Sequence, residues 1–248
     1  MCPRGARDDS DVTMEEPSYR LDDMAELAVR LGSPYDDQRS GEVLHLTDFS
    51  AGLGGWAVGT TGAAGYGRLT GAYVKSGGVG VVVASEVSSA AYTHLFMLMP
   101  YPGLKSIGFK ASIGFDSHVS RVDYRIVISD SVNSIYFDIR YNPALHTLQY
   151  LTTSDEWITL SSSLKLAAVL PIFYDFKLLI NCETQRYVRF MLNQYEFNMV
   201  DFVPSIAVNP ITARAAFYII CYGDDVAQGL MYIDNVVITQ NDFGAVTL

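Results

Sequence analysis

The stretch Tyr174–Met199, YDFKLLINCETQRYVRFMLNQYEFNM, decides the fold because two alternating apolar and polar runs flank a polar turn. In each run the apolar residues recur with a period of two and share one face: Phe176, Leu178, Ile180 and, after the turn, Val188, Phe190, Leu192. A third short run follows Asn193. The pattern predicts antiparallel strands with one face in a core and the other in water.

From Glu42 onward the sequence contains about a dozen strand-like runs, nearly all separated by turn residues, and no segment with a helical period interrupts them. The runs are 68–75, 80–84, 93–99, 106–115, 121–129, 135–141, 145–151, 157–160, 172–180, 187–192, 213–222 and 231–239. This organisation predicts one all-β, antiparallel β-sandwich domain over residues 42–248 and excludes an α/β design.

Three segments resemble concanavalin A-like and laminin-G-like jelly rolls. They are FKLLIN followed by RYVRFMLNQYEF within Tyr174–Met199, the opening VLHLTDF with SAGLGGW at 43–56, and the closing YIDNVVIT at 232–239. The resemblance covers about residues 43–240 and implies a jelly-roll sandwich whose last strand pairs near the first. That superfamily includes lectins, glucanases and non-catalytic modules, so it implies a fold more readily than a function.

Residues 1–41 are predicted to form a separate, acidic N-terminal arm. The chain has a net charge of −10, and residues 1–47 hold eleven acidic and five basic side chains. Helical spacing predicts a short helix over 23–31, with an apolar stripe of Met24, Leu27, Ala28 and Leu31. So short a helix needs docking, either on this chain's own sandwich or on a neighbouring subunit.

Composition excludes several classes of partner. An acidic surface repels phosphate backbones and anionic membrane surfaces, so neither nucleic acid nor membrane is an expected partner. The residues after Met1 are polar, and no secretory signal peptide is predicted. Three cysteines, Cys2, Cys182 and Cys221, are too few for a disulfide framework, and the last two are predicted to be reduced and buried.

No catalytic pattern is evident along the chain. Glucanases of the resembled superfamily carry Glu-x-Asp-x-x-Glu on one strand, because two carboxylates must flank the glycosidic bond, and this spacing is absent here. Most candidate acids fall in predicted turns. The four histidines, His45, His94, His118 and His146, lie far apart without a partner at diagnostic spacing. The sequence therefore predicts a protein that is not an enzyme and holds no cofactor.

Two binding hypotheses remain. The first concerns Asp48 and Asp234, whose carboxylates either hold a structural calcium or cap turns and bind backbone amides. The second is glycan binding. Tyr66, Tyr73 and Trp157 are candidate glycan-binding aromatics near loops or strand ends, although Trp157 also falls where jelly rolls place core residues. Trp56 is predicted to be buried.

The opening DDMAELAVRLGSPYDDQRSGEVLHLTDF at 22–49 resembles the start of phage virion proteins with concanavalin-like domains. This resemblance implies a non-enzymatic, capsid-associated protein, either a decoration or a minor capsid protein, assembled in the host cytoplasm and located in the virion. Its arm would bind capsid or other virion subunits, and a homo-oligomer is expected. The alternative is a carbohydrate-binding jelly-roll module.

Overall fold

The structure is a computed structural model that describes residues 42–101 and 106–242, which contain sixteen strands. Within these two ranges no helix has the length and apolar character needed to cross a membrane. The strands are β1 (Glu42–Thr47), β2 (Ala57–Thr60), β3 (Tyr66–Thr70), β4 (Gly80–Ala84), β5 (Tyr92–Pro100), β6 (Ser106–Phe115), β7 (Val119–Ser129), β8 (Asn133–Asn142), β9 (Thr147–Leu151), β10 (Trp157–Ser161), β11 (Tyr174–Asn181), β12 (Arg186–Leu192), β13 (Tyr195–Asn198), β14 (Ser205–Val208), β15 (Arg214–Gly223) and β16 (Leu230–Gln240).

Two antiparallel sheets hold these strands. Sheet A has the order β13-β12-β11-β6-β16-β4-β3, with β1 also paired to β16. Sheet B has the order β10-β9-β8-β7-β15-β5-β2, with β14 also paired to β8. The closing strand β16 pairs with the opening strand β1, as the resemblance implies. The predicted all-β jelly-roll sandwich is confirmed, and β2 and β14 are strands that the sequence pattern does not predict.

Strand β16 changes partners along one edge, from β4 in its first half to β1 in its second half. The change coincides with a bulge at Asn235, whose φ is +51°. Next to the bulge, the Asp234 carboxylate accepts hydrogen bonds from the backbone N–H groups of Lys75 and Ser76, at 2.9 and 2.8 Å. β3 ends at Thr70, where the Ala72 amide binds the Thr70 hydroxyl oxygen at 3.0 Å, so the strand predicted over 68–75 is too long.

Aromatic and branched side chains from both sheets fill the core. Phe109 of sheet A stacks on Tyr124 of sheet B with ring centroids 4.4 Å apart. Trp56 is buried, as predicted, and its indole N–H donates to His45 Nε2 at 3.1 Å. Both Cys182 and Cys221 are free thiols, but only Cys221 is fully buried.

The hairpin of β11 and β12 forms as predicted, with Phe176 opposite Leu192. A register shift beside Ile180 interrupts the simple alternation predicted from the sequence. As a result, Tyr187 lies in the core and Val188 is half-buried. The predicted arm over 1–41, with Met24, Leu27, Ala28 and Leu31, lies outside the described residues.

Candidate functional site

The three predicted glycan-binding aromatics do not lie on one surface. On the outer face of sheet A, Tyr66 is 38% exposed with the Arg68 guanidinium 5.4 Å from its ring. Tyr73 meets Tyr232 edge-on there, with centroids 5.2 Å apart. Trp157 instead begins β10 in sheet B. A single platform made of Tyr66, Tyr73 and Trp157 is therefore absent, although each remains a candidate on its own face.

The outer face of sheet B brings together side chains that are distant in sequence. Strand register places them in three rows: Phe96, Tyr218, Arg125, Asp138; His94, Ile220, Asp123, Arg140, Gln149; and Tyr92, Tyr222, Arg121. We call the rings from β5 and β15 the aromatic patch, which comprises Tyr92, His94, Phe96, Tyr218 and Tyr222. The charged residues of β7 and β8 form the arginine–aspartate ladder, which comprises Arg121, Asp123, Arg125, Asp138 and Arg140.

The aromatic patch is a continuous run of ring contacts. Phe96 stacks on Tyr218 with centroids 5.9 Å apart and an interplanar angle of 19°. His94 lies 5.2 Å from Phe96 and 5.7 Å from Tyr218, and Tyr92 lies 5.6 Å from His94 and 5.1 Å from Tyr222. All of these side chains except Tyr222 are half-buried, so the patch offers apolar ring surface to a ligand.

His94 lies against β2 at Gly59, where a larger residue would have to displace the imidazole. A Cβ on Gly59 would come within 2.5 Å of the imidazole Cε1 and Nε2 atoms. Burial, and then the positive charge of Arg125, lower the pKa of His94 below its usual value. The ring is therefore neutral near pH 7, and its buried Nδ1 atom has no hydrogen-bond partner.

Two bidentate ion pairs organise the arginine–aspartate ladder. Arg125 binds Asp138 through Nε–Oδ1 and Nη2–Oδ2 contacts of 2.5 and 2.7 Å. Arg140 binds Asp123 through the equivalent atoms at 2.9 and 3.0 Å. Both aspartates are fully buried beneath their partners, which is the environment where charge-assisted pairs are strongest.

Two arginines of the ladder also stack on aromatic rings. The Arg140 Cζ atom lies 3.5 Å from the centre of the Trp157 ring, and the Arg121 Cζ atom lies 3.4 Å from that of Tyr222. A planar guanidinium suits both contacts. One face of Trp157 is therefore occupied by Arg140, and a ligand would meet the rest of the indole.

The face combines ring surface for stacking with guanidinium groups for hydrogen bonding. It does not offer the carboxylate pair of a glycosidase, because Asp123 and Asp138 are buried and held by arginine. Burial raises the pKa of Asp138, although the Arg125 charge opposes that shift. The available groups fit recognition of a polar, ring-shaped ligand, and the neutral His94 imidazole could accept a proton.

Asp48 and Asp234 lie near one another, as the calcium hypothesis requires. Burial raises the pKa of Asp234, and the charge of Asp48 adds to the rise. Its Oδ2 atom accepts the Lys75 and Ser76 amides, and its Oδ1 atom accepts the Asn235 amide at 2.7 Å. In residues 42–101 and 106–242, no three or more His, Cys, Asp or Glu side chains are grouped so that they could hold a metal ion.

Sequence reasoning missed most of this face. The ladder has a sequence signal, since Arg121-x-Asp123-x-Arg125 and Asp138-x-Arg140 place opposite charges two residues apart on two consecutive strands. Such spacing puts the charges on one side of a strand, but it does not show that they pair across strands. His94 has a local signal in the alternation Tyr92-x-His94-x-Phe96, but its contact with Tyr218 arises only through the pairing of β5 with β15.

No protein-family model and no curated protein matches the sequence. Solved structures do match the fold. A cellulose-induced protein, Cip1, aligns with a TM-score of 0.53 and 13% identity over 79% of this chain and 96% of its own. An endo-β-1,4-glucuronan lyase from the fungus Trichoderma reesei aligns with a TM-score of 0.58 and 8% identity over 80% and 95%. A carbohydrate esterase of the Shiga toxin-encoding bacteriophage phi24B aligns with a TM-score of 0.50 and 11% identity over 81% and 99%.

These matches show a jelly-roll fold that carbohydrate-active proteins also have. They contradict the prediction that the chain is not an enzyme, because the matched folds include a lyase and an esterase. The inference failed because it treated the missing glucanase motif as the absence of any catalytic site. The predicted capsid role finds no support in the matches, although one matched fold comes from a phage protein.

Proposed function

We propose that this chain binds a saccharide on the outer face of sheet B. The observation that carries the proposal is the aromatic patch lying directly beside the arginine–aspartate ladder. Sugar rings present apolar C–H faces and polar hydroxyl edges, and proteins bind such ligands with aromatic rings and a few well-placed polar groups. The carbohydrate-related names of the matched folds support the same class of ligand.

The two parts of the face have different roles in this proposal. Phe96 and Tyr218 supply a stacked, half-buried surface for a sugar ring. Arg125 and Arg140, held in place by bidentate aspartates, direct guanidinium N–H groups toward ligand oxygens. Because the ion pairs already orient the arginines, less side-chain entropy is lost when the ligand binds.

A glycan array followed by calorimetry on the strongest ligand tests the proposal. Phe96→Ala should weaken binding by about tenfold, since loss of one stacked ring is worth about 1 kcal/mol or more. Tyr195→Ala is the matched control, because it removes an exposed ring from β13 of sheet A that is not a glycan-binding candidate. The absence of binding to every glycan, or equal losses in the two variants, would refute the assignment of this face.

Cleavage of the bound saccharide is a second candidate, and the state of His94 favours it. The imidazole is neutral and can accept a proton, but its lowered pKa makes it a weaker base than an ordinary histidine; the Tyr218 ring lies 5.7 Å away. Release of reducing ends from the saccharides that bind, lost in His94→Gln while binding persists, would establish it. Binding without product over long incubation would leave recognition as the function of the face.

A further inference from the structure

The arginine–aspartate ladder contains one more cation than it has anions. Three guanidinium groups face two carboxylates, so the ladder carries a formal charge of +1 on a chain whose net charge is −10. Arg125 and Arg140 each take one aspartate in a bidentate pair. The excess charge therefore lies on Arg121.

The contacts of Arg121 agree with this count. Its Nε atom lies 3.4 Å from Asp123 Oδ1, an oxygen that already accepts a hydrogen bond from Arg140 at 2.9 Å. The buried Arg121 Nε makes no hydrogen bond of its own. Asp123 thus attracts Arg121 electrostatically. The hydrogen bonds of Asp123 go to Arg140, so Asp123 does not satisfy the N–H donors of Arg121.

Arg121 is also held where a ligand can reach it. Its guanidinium stacks on Tyr222 at 3.4 Å, and Tyr92 packs against the same ring at 5.1 Å. The Arg121 side chain remains 26% exposed. A fixed, partly exposed guanidinium set beside aromatic rings is suited to an anionic group carried on a ring-shaped ligand.

We propose that the saccharide bound by this face is acidic, and that Arg121 binds its carboxylate or sulfate group. This inference rests on the proposed function and names the ligand class. The net negative charge of the chain repels an anion at long range, but salt screens charges beyond roughly 8–10 Å. The local excess of positive charge at Arg121 therefore selects acidic over neutral sugars of the same shape.

Calorimetry with three probes of one backbone tests the inference on the full chain. The probes are a cello-oligosaccharide, an oligoglucuronate of the same linkage and length, and a sulfated cello-oligosaccharide. We expect an anionic probe to bind at least about tenfold more tightly than the neutral one, because a hydrogen bond to a charged group contributes more than a neutral one. Which anionic probe binds better identifies the group as carboxylate or sulfate. The preference should shrink as salt rises.

Arg121→Gln tests the residue itself. This substitution should lower affinity for the preferred anionic probe about tenfold or more and leave affinity for the neutral probe unchanged. Arg68→Gln is the matched control, since it removes an arginine beside a tyrosine on sheet A. Near-ultraviolet circular dichroism checks that each variant is folded, and the wild-type comparison of probes does not depend on either variant.

Each outcome separates the two proposals. Equal affinity of the wild-type chain for neutral and anionic probes would overturn the acidic ligand and leave saccharide binding intact. No binding of any probe, together with a blank glycan array, would overturn the proposed function itself. A preference for anionic probes that survives in Arg121→Gln would overturn the assignment to Arg121.

Discussion

The Lys75–Asp175 pair on the outer face of sheet A and the Arg125–Asp138 pair on the outer face of sheet B are built differently. On sheet A, Lys75 contacts Asp175 at 2.6 Å, and both side chains are about 30% exposed, at 28% and 30%. On sheet B, Arg125 holds Asp138 through two hydrogen bonds, and Asp138 is fully buried. The first pair is partly open to water, whereas loss of either partner from the second would leave a buried charge unpaired.

The difference shows why sheet B is suited to binding. Lysine is a point charge on a flexible stem, but arginine is a plane that covers a carboxylate with its edge and an aromatic ring with its face. Arg140 does both, since it pairs with Asp123 and stacks on Trp157. The arginines of sheet B therefore hold their charged groups in a fixed arrangement between aromatic rings. Among the described residues, the Lys75–Asp175 pair has no such ring contact to fix the lysine.

Removing one aspartate from each face should give the largest difference in the free energy of unfolding. Asp138→Ala leaves Arg125 without its partner in a largely buried position, and we expect a loss of about 3 kcal/mol in the free energy of unfolding. Asp175→Ala should cost about 1 kcal/mol or less, because its pair is more exposed. Denaturant unfolding of the two variants measures both values, and similar losses would show that burial does not distinguish the pairs.

A tyrosine of sheet A supports the strand that carries Asp138. The Tyr187 hydroxyl accepts the Asp138 backbone N–H at 2.8 Å and lies 3.1 Å from the Leu151 carbonyl oxygen, to which it can donate. Tyr187→Phe should therefore cost about 2 kcal/mol, since it leaves buried polar groups unpaired.

Tyr124→Phe is the matched control for that substitution. Tyr124 is equally buried, but its hydroxyl makes one long contact of 3.5 Å with the Phe176 carbonyl oxygen. We expect a loss below about 1 kcal/mol there by denaturant unfolding. Equal losses in the two variants would mean that the Tyr187 hydroxyl does not support β8.

The fold could be predicted from sequence because period two is a local property. Phe176 and Leu192 show their core side without knowledge of the pairing, whereas the pattern does not predict the bulge at Val188, the strands β2 and β14, or the end of β3 at Thr70. The binding face could not be predicted in the same way. Asp123 meets Arg140 only when the register of β7 and β8 is known, and His94 meets Tyr218 only through strands far apart in sequence.

A smaller perturbation tests how His94 is held within the aromatic patch. Gly59→Val places a Cβ about 2.5 Å from the imidazole, so the ring should move outward into water. We expect little loss of stability, because a side-chain tip can move, but the pKa of His94 should rise toward its usual value. Titration by nuclear magnetic resonance measures that change, and an unchanged pKa would contradict the contact. Gly71→Ala, whose Cβ would meet only the Gly78 carbonyl oxygen at 3.3 Å, is the control.

The smallest expected effect is a pH dependence of stability, which arises from the same imidazole. The folded-state pKa of His94 is lowered by burial and then by Arg125, so the unfolded chain takes up the proton first as pH falls. The contribution of His94 to the free energy of unfolding should be fully present above about pH 6.5. It should decline below that pH until the folded-state pKa is passed. His45, whose pKa burial also lowers, contributes in the same direction. Unfolding between roughly pH 5.5 and 7.5 should therefore show a shallower decline in His94→Gln than in the wild-type chain, and identical slopes would show that His94 is not held neutral by the sheet B face.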